Sequence, residues 1–306
     1  MIKQTPSRVR RAAVALALPL LTAGALVACS ESAPAEPPAA GSPSAAPVAA
    51  SSAPSAGAEL HLVENNGHRL AFHVTPGRLP AIVLDAGGGE DSSYWAALVP
   101  RLAQDTGATI ITYDRAGLGD SDEVPGPWDA KAAAADLAAG LDQLGVPDGV
   151  LLVSHSQAGE VATYTVREHP GLVAGAVLVD ANLPQFFTDE QVARIVAVNG
   201  SQIEALKAQP STKRTRQLLA TAENFGPAHL AYHELTWPDS VPTTVIVSER
   251  TPFEDSPEDA QRWRDAAAAF VKAGPDRTLV TATGTSHDVP KDAPALVLAE
   301  IEKMTR

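Results

Sequence analysis

Short, continuous aliphatic runs alternate with longer helical segments along most of the chain, and this rhythm is the strongest constraint on its fold. Runs of this length are typical of strands buried on both faces of a parallel sheet. The segments between them are amphipathic or Ala-rich, as expected for crossover helices that cover both faces of such a sheet. The strand runs are 81–84, 109–113, 150–153, 174–179, 243–247 and 278–281, and the helical segments include 129–144, 157–168, 257–272 and 293–304. The sequence therefore predicts an α/β fold with a mostly parallel, doubly wound sheet.

Two segments depart from this alternation of strand and helix patterns. Residues 59–63 and 69–74 have strand patterns joined through Asn65-Asn66-Gly67, which favours an N-terminal antiparallel hairpin because Gly accepts a positive φ. Later, about sixty residues separate the run ending at 179 from the run starting at 243, with helical patterns near 189–208 and 212–225. Ligands bind at the carboxyl ends of the strands in such sheets, so we expect a helical lid over about 183–240.

The N-terminal 28 residues have the pattern of a secretory signal peptide. Lys3, Arg8, Arg10 and Arg11 precede an apolar stretch over 12–27, and no acidic residue lies among them. The stretch ends in Leu-Val-Ala-Cys at 26–29, which resembles the lipobox of bacterial lipoproteins. That resemblance implies cleavage before Cys29 and its acylation, so the protein is expected to be exported and held by lipid at the cell envelope.

Composition separates a tether from a folded domain. Residues 29–57 are nearly all Ala, Pro and Ser, which cannot bury enough apolar surface to fold, so we interpret them as a linker. Residues 58–306 have the size of one large domain. The net charge of −13 excludes nonspecific nucleic-acid binding, and a single cysteine excludes an intramolecular disulfide. We therefore expect a membrane contact through the lipid anchor alone and no nucleic-acid partner.

A serine follows the third parallel-type run in a distinctive local pattern. The strand 150–153 leads into Ser154-His155-Ser156-Gln157-Ala158 and then a helical segment. This order of strand, small-x-Ser-x-small and helix resembles the nucleophile elbow of the α/β-hydrolase family, whose common form is G-x-S-x-G. Ser154 and Ala158 replace the two glycines, and both are small, as the crowded turn requires. The resemblance implies that Ser156 is a nucleophile.

The similarity to the α/β-hydrolase family extends over residues 59–306. Residues 82–89, ending in Gly87-Gly88-Gly89, are similar to the family's strand and following His-Gly-x loop. This match implies that the backbone amides of Gly88 and Gln157 form an oxyanion hole. The segment 114–121 looks like the family's structural D-x-x-G-x-G-x-S turn, and it lacks the further glycine or lysine of a phosphate-binding loop.

A catalytic serine needs a base, and the base needs an acid to orient it. His287 follows the last strand run and precedes the last helical segment, where the family's catalytic histidine lies. His155 is less suited, because successive side chains of the elbow diverge. The acid is open: the family's usual position holds Thr251, so Asp180 at the end of the preceding strand is our first choice, with Glu249 and Glu254 as alternatives.

These residues predict an enzyme that transfers an acyl group to water without a cofactor or a metal. Its expected substrate is a small carboxylic ester, with a thioester, lactone or amide as alternatives. The main alternative is a noncatalytic binding lipoprotein of the same fold, favoured by Thr251 where the family has its acid. A metalloenzyme is a further alternative, because His229 and His233 share a helical face and could bind a metal ion. The pair lacks the internal Glu of the H-E-x-x-H motif, however.

Overall fold

A computed structural model describes residues 57–305, and an eight-stranded sheet forms the centre of this part of the chain. The spatial order is β1-β2-β4-β3-β5-β6-β7-β8. The pairs β1–β2 and β2–β4 are antiparallel, and the strands from β4 through β3 to β8 pair in parallel. The strands are β1 Glu59–Asn65, β2 His68–Thr75, β3 Arg78–Asp85, β4 Ala108–Asp114, β5 Val150–His155, β6 Val173–Val179, β7 Thr243–Ser248 and β8 Arg277–Ala282.

The predicted strand runs mark the buried centres of the parallel strands. Alternate side chains of one strand point to opposite faces, so each strand supplies two hydrophobic layers. Val150 and Leu152 of β5 belong to one core, whereas Leu151 and Val153 belong to the other. The strands extend beyond the predicted runs where backbone pairing continues past the aliphatic residues, as at His155, which pairs with Val179.

Helices cover both faces of the sheet, as predicted for a doubly wound fold. Side chains of α2, α3 and α7 contribute to one core, and side chains of α1 and α9 contribute to the other. The helices are α1 Val99–Thr106, α2 Ala130–Gln143, α3 Ala158–Glu168, α4 Asp189–Lys207, α5 Lys213–Glu223, α6 Phe225–His233, α7 Pro257–Lys272, α8 Val289–Asp292 and α9 Pro294–Met304. The sequence did not single out α1, whose eight residues give too short an apolar pattern.

The hairpin at the start of the domain follows the expected turn. Asn66 and Gly67 have φ angles of 49° and 81°, so the two residues between the strands adopt left-handed conformations. Asn and Gly are the residues that best accept this turn, which sets the register of β1 against β2. Hairpin and parallel sheet together confirm the predicted fold class.

Between β6 and β7 the chain leaves the sheet and forms a short 3-10 turn, Pro184–Phe186, followed by α4, α5 and α6. We call residues 183–240 the lid segment. Its first two helices match the predicted helical patterns within a few residues, and α6 is a third helix whose bounds the sequence did not define. The segment lies above the carboxyl ends of the strands, where it closes one side of a cavity.

The signal peptide predicted for residues 1–28, the predicted acylation of Cys29 and the predicted linker of residues 29–57 fall almost wholly outside the described residues. Within residues 57–305, the helices are all too short or too polar to cross a lipid bilayer.

Candidate active site

The nucleophile elbow lies where β5 ends at His155 and α3 begins at Ala158. Ser156 has a φ of 54°, a left-handed conformation that is strained for a residue with a Cβ. The turn is crowded on its inner side: a Cβ added to Gly159 would lie 2.3 Å from the carbonyl oxygen of Asn182. Small residues around Ser156 therefore let the helix pass close to the neighbouring chain, and the hydroxyl is left half-buried at the top of the sheet.

The structure brings Ser156, His287 and Asp180 into one hydrogen-bonded chain. Ser156 Oγ lies 2.8 Å from His287 Nε2, and His287 Nδ1 lies 2.7 Å from Asp180 Oδ2. The three residues follow β5, β8 and β6, whose carboxyl ends meet at one edge of the sheet. Because Asp180 accepts from Nδ1, the imidazole presents an unprotonated Nε2 to the serine hydroxyl. This arrangement can remove the serine proton during nucleophilic attack.

Asp180 is fully buried and has a donor for both of its oxygens. Ser248 donates to it from its backbone N at 3.0 Å and from its hydroxyl at 2.6 Å, and Trp263 Nε1 donates at 2.9 Å. Burial by itself raises the pKa of Asp180, but the hydrogen bond and charge of His287 and the Ser248 hydrogen bonds outweigh it and lower the pKa below its usual value. The carboxylate is therefore ionised at neutral pH and can stabilise a protonated His287.

The two alternative acids are placed elsewhere. Glu249 accepts a hydrogen bond from the backbone N of Gly284 at 2.6 Å, and Glu254 is exposed at the cavity rim. Neither makes a hydrogen bond to His287 among the described residues. Thr251, at the family's usual acid position, is buried, and its backbone N donates to Ser248 Oγ at 2.9 Å. Thr251 thus orients the serine that holds Asp180.

His155 contacts His287 directly, which the expected divergence of elbow side chains did not predict. Its Nε2 lies 3.0 Å from the carbonyl oxygen of His287, so this nitrogen carries a hydrogen and donates it. Tyr94 stacks on the His155 ring with centroids 5.0 Å apart. Burial, and then the charge of His287, lower the pKa of His155 to about 3, so it stays neutral and positions the His287 backbone.

Gly88 and Gln157 lie side by side, although they come from different strand ends. A Cβ added to Gly88 would lie 2.7 Å from Gln157 Oε1, so only glycine fits there without moving that side chain. The backbone N–H groups of both residues have no acceptor among the residues that the structure describes. Both residues line the same cavity as Ser156, as an oxyanion hole requires.

A cavity of about 550 Å³ opens above Ser156. The sheet edge supplies its floor, and the lid segment supplies apolar walls that include Phe186, Phe187, Ile195 and Phe225. The lid segment contains five Phe, Tyr or Trp residues, which divide between the cavity wall and the buried core. Phe186, Phe187 and Phe225 line the cavity, whereas Tyr232 and Trp237 are buried beneath it.

The two histidines of the proposed metal pair have different partners. His229 Nε2 lies 3.1 Å from Glu160 Oε1, while His233 Nδ1 lies 2.8 Å from the carbonyl oxygen of Pro184. Within residues 57–305, the group that could hold a cation is His73, Asp114 and Asp120. Asp114 already accepts hydrogen bonds from the backbone N of Ser92 and of Asp120, both at 2.8 Å, and so fixes the turn after β4.

Comparison with known proteins assigns the fold to a family. The family model of the alpha/beta hydrolase fold matches residues 80–233, which include the Gly88 loop and the Ser156 elbow. The chain belongs to the α/β-hydrolase fold family. A non-heme chloroperoxidase from Streptomyces lividans is 41% identical over 78 residues, which are 26% of this chain and 28% of that protein. Uncharacterized mycobacterial relatives are matched over only 33% of their own length.

Solved structures share the whole fold at low identity. An esterase from Thermogutta terrifontis superposes with a TM-score of 0.56 at 23% identity, covering 80% of this chain and 97% of that one. A putative epoxide hydrolase from Pseudomonas aeruginosa gives a TM-score of 0.60 at 19% identity, covering 82% and 98%. These likenesses extend the fold assignment beyond the residues matched by the family model.

Proposed function

We propose that the protein is a serine hydrolase that cleaves carboxylic esters through an acyl-enzyme intermediate. The hydrogen-bonded chain from Ser156 through His287 to Asp180, on the floor of an open cavity, is the observation that carries this proposal. A serine alone is a weak nucleophile at neutral pH, and this chain supplies both the base and the group that stabilises its cation.

The residues support a two-stage reaction. Ser156 Oγ attacks the ester carbonyl as its proton moves to His287 Nε2, and the Gly88 and Gln157 amides bind the oxyanion, each contributing about 3 to 4 kcal/mol to transition-state stability. His287 then gives the proton to the departing alcohol. Water deprotonated by His287 attacks the acyl-enzyme, which releases the acid and restores Ser156.

The choice of an ester follows from the nucleophile and the cavity. In the α/β-hydrolase family, dehalogenases and epoxide hydrolases use an aspartate at the elbow, because water must cleave the ester that it forms. Ser156 instead favours acyl transfer, in keeping with the esterase among the structural neighbours. The aromatic and aliphatic walls of the lid segment suit an apolar acyl or alcohol group.

A noncatalytic binding protein of the same fold is the main competing function. Thr251 favoured it in the sequence, since it replaces the family's usual acid. Asp180 weakens that argument, because it takes the place beside His287 that the acid must occupy.

Hydrolysis of p-nitrophenyl esters of graded chain length tests the proposal. We expect Ser156→Ala to abolish turnover above background and to prevent labelling by a fluorophosphonate, which reacts only with an activated serine. Ser154→Ala is the matched control, because Ser154 is buried in the same elbow and its hydroxyl has no hydrogen-bond partner within residues 57–305. A folded wild-type protein that neither turns over esters nor reacts with the probe would favour the binding function.

A further inference from the structure

Two buried titratable side chains in the cavity wall have no part in the proposed reaction. Glu160 lies in the first turn of α3 and is 1% exposed, and His229 of α6 is 2% exposed. Both line the cavity above Ser156, together with Asn182, which follows β6. A buried carboxylate is costly unless it is hydrogen-bonded, so the partners of Glu160 decide what it can do.

One oxygen of Glu160 is held by the protein. Glu160 Oε1 accepts from the Asn182 side-chain amide and lies 3.1 Å from His229 Nε2. The other ring nitrogen, His229 Nδ1, lies 2.8 Å from the carbonyl oxygen of Phe225 and must donate to it. A single proton therefore lies between His229 Nε2 and Glu160 Oε1, and the pair has no net charge whichever residue holds it.

The pair is fixed in place by aromatic rings. The His229 ring stacks on Phe225 with centroids 3.9 Å apart and contacts Phe187 at 4.1 Å. These rings belong to the lid segment, whereas Glu160 belongs to the helix that starts at the elbow. The carboxylate cannot turn away without breaking its hydrogen bonds to Asn182 and His229, so its orientation is set before a ligand binds.

The other oxygen of Glu160 is available to a ligand. Glu160 Oε2 has no hydrogen-bond donor among residues 57–305, in contrast to the two donors at Oε1. Because Glu160 lines an open cavity, water can donate to this oxygen, and a ligand that displaces the water from the largely apolar wall must supply a donor in its place. The cavity wall thus combines apolar surface with one oriented acceptor.

We propose that Glu160 Oε2 selects esters that carry a neutral hydrogen-bond donor, a hydroxyl or an amide N–H, on the group that enters this side of the cavity. This inference rests on the proposed ester hydrolysis and names its substrate class. A neutral donor is preferred to an ammonium group because the charge of Glu160 is already matched by His229. An ammonium here would add a positive charge beside this neutral pair and the aromatic rings of Phe187 and Phe225, with no second carboxylate hydrogen-bonded to the pair among residues 57–305.

The test uses matched p-nitrophenyl esters whose acyl chains end in methyl, hydroxyl, methoxyl or ammonium, and a second set with the same groups on the alcohol side. The measured quantity is the ratio of kcat/KM for each hydroxyl ester to that for its methyl partner. We expect Glu160→Gln to lower this ratio by about tenfold in one of the two sets, since the bond to a carboxylate is lost. The methoxyl and ammonium esters should not share the wild-type preference.

Ile195→Val is the matched control, because Ile195 lines the same cavity without a polar group, and it should keep the wild-type ratio. An unchanged ratio in Glu160→Gln for both ester sets, or a preference for ammonium, would overturn the inference. Fluorophosphonate labelling of each variant reports Ser156 separately from recognition. If wild type hydrolyses no ester, calorimetry with hydroxyl and methyl amide analogues still compares recognition by wild type and Glu160→Gln, and equal binding would also overturn it.

Discussion

Asp180 is surrounded by several hydrogen-bond donors. It follows β6 with a φ of 42°, and it accepts hydrogen bonds from Ser248, Trp263 and His287. Its lowered pKa means that it stabilises the folded state at pH values above its unfolded pKa, about 3.9. That stabilisation is lost as the pH falls through the lower folded pKa, so it is fully present where ester hydrolysis would be measured.

We expect Asp180→Asn to lower kcat by about 10⁴, because an amide cannot stabilise the His287 cation and favours the wrong tautomer. Glu249→Gln and Glu254→Gln are the controls, since each removes a carboxylate that does not contact His287. Steady-state kinetics with one ester, together with thermal melts to show folding, make the measurement. If a glutamate variant lost the activity while Asp180→Asn kept it, the acid would be reassigned.

Local sequence patterns identified Ser156 and His287 because each residue follows a recognisable strand end. Asp180 was left open against Glu249 and Glu254, since the choice depends on which carboxylate meets His287 in space. The sequence did not predict the side chains that form the other hydrogen bonds of the site. Trp263 and His155 make hydrogen bonds to residues 83 and 132 positions away, and no short motif encodes such contacts.

Helix α5 joins the lid segment to the rest of the domain through an ion pair and hydrogen bonds. Arg214 Nη2 lies 2.8 Å from Glu90 Oε1 beside the cavity, and Lys213 donates to the carbonyl oxygens of Gly119 and Ser121. Glu90 is partly buried, which raises its pKa, while the charge of Arg214 opposes that rise. Cations at the N-terminal end of α5 therefore join the lid segment to the loops after β3 and β4.

We expect Arg214→Gln to speed amide hydrogen exchange in α5 by about two- to fivefold, because a partly exposed ion pair contributes at most about 1 kcal/mol. The control is Arg101→Gln, which removes an exposed cation paired with Asp105 within α1. Exchange measured by mass spectrometry should change in residues 213–223 for the first variant alone. Wild-type rates in α5 of Arg214→Gln would show that the ion pair does not restrain the lid.

Strands and long helices were predictable because burial on a sheet imposes a regular hydrophobic period. Helix α7 begins at Pro257 and ends at Lys272, as the sequence predicted, with Ser256 as its N-cap. Helices α1 and α6 were not delimited, since eight and nine residues give too few turns for a clear period. The sequence predicted a lid above the strand ends, but the shape and the lining of the cavity beneath it depend on how separate elements pack.

The proposed membrane tether occupies residues 29–57, of which the structure describes only Gly57. Cys29 would join the domain to lipid through the Ala/Pro/Ser linker of residues 29–57. A strongly acidic chain, with a net charge of −13, is repelled by anionic lipid and suits a domain held only by its anchor.

We expect Cys29→Ser to move the protein from the membrane fraction to the soluble fraction of a bacterial host, because acylation requires the thiol. Ser30→Ala is the control, since it alters the neighbouring position without removing the acylation site. Fractionation and immunoblotting make the measurement. A wild-type protein found only in the soluble fraction would remove the lipid anchor from the proposal.

The order of the strands separates the reacting groups widely along the chain. The loop after β3 and the elbow after β5 come from the first half of the domain, the proposed acid Asp180 follows β6, and the proposed base His287 follows β8. No fragment that lacks the final strand can assemble the set. On the proposed export route, a polypeptide threaded unfolded through a membrane would thus be inert toward the esters of the cell interior, and would become reactive only after folding on the far side.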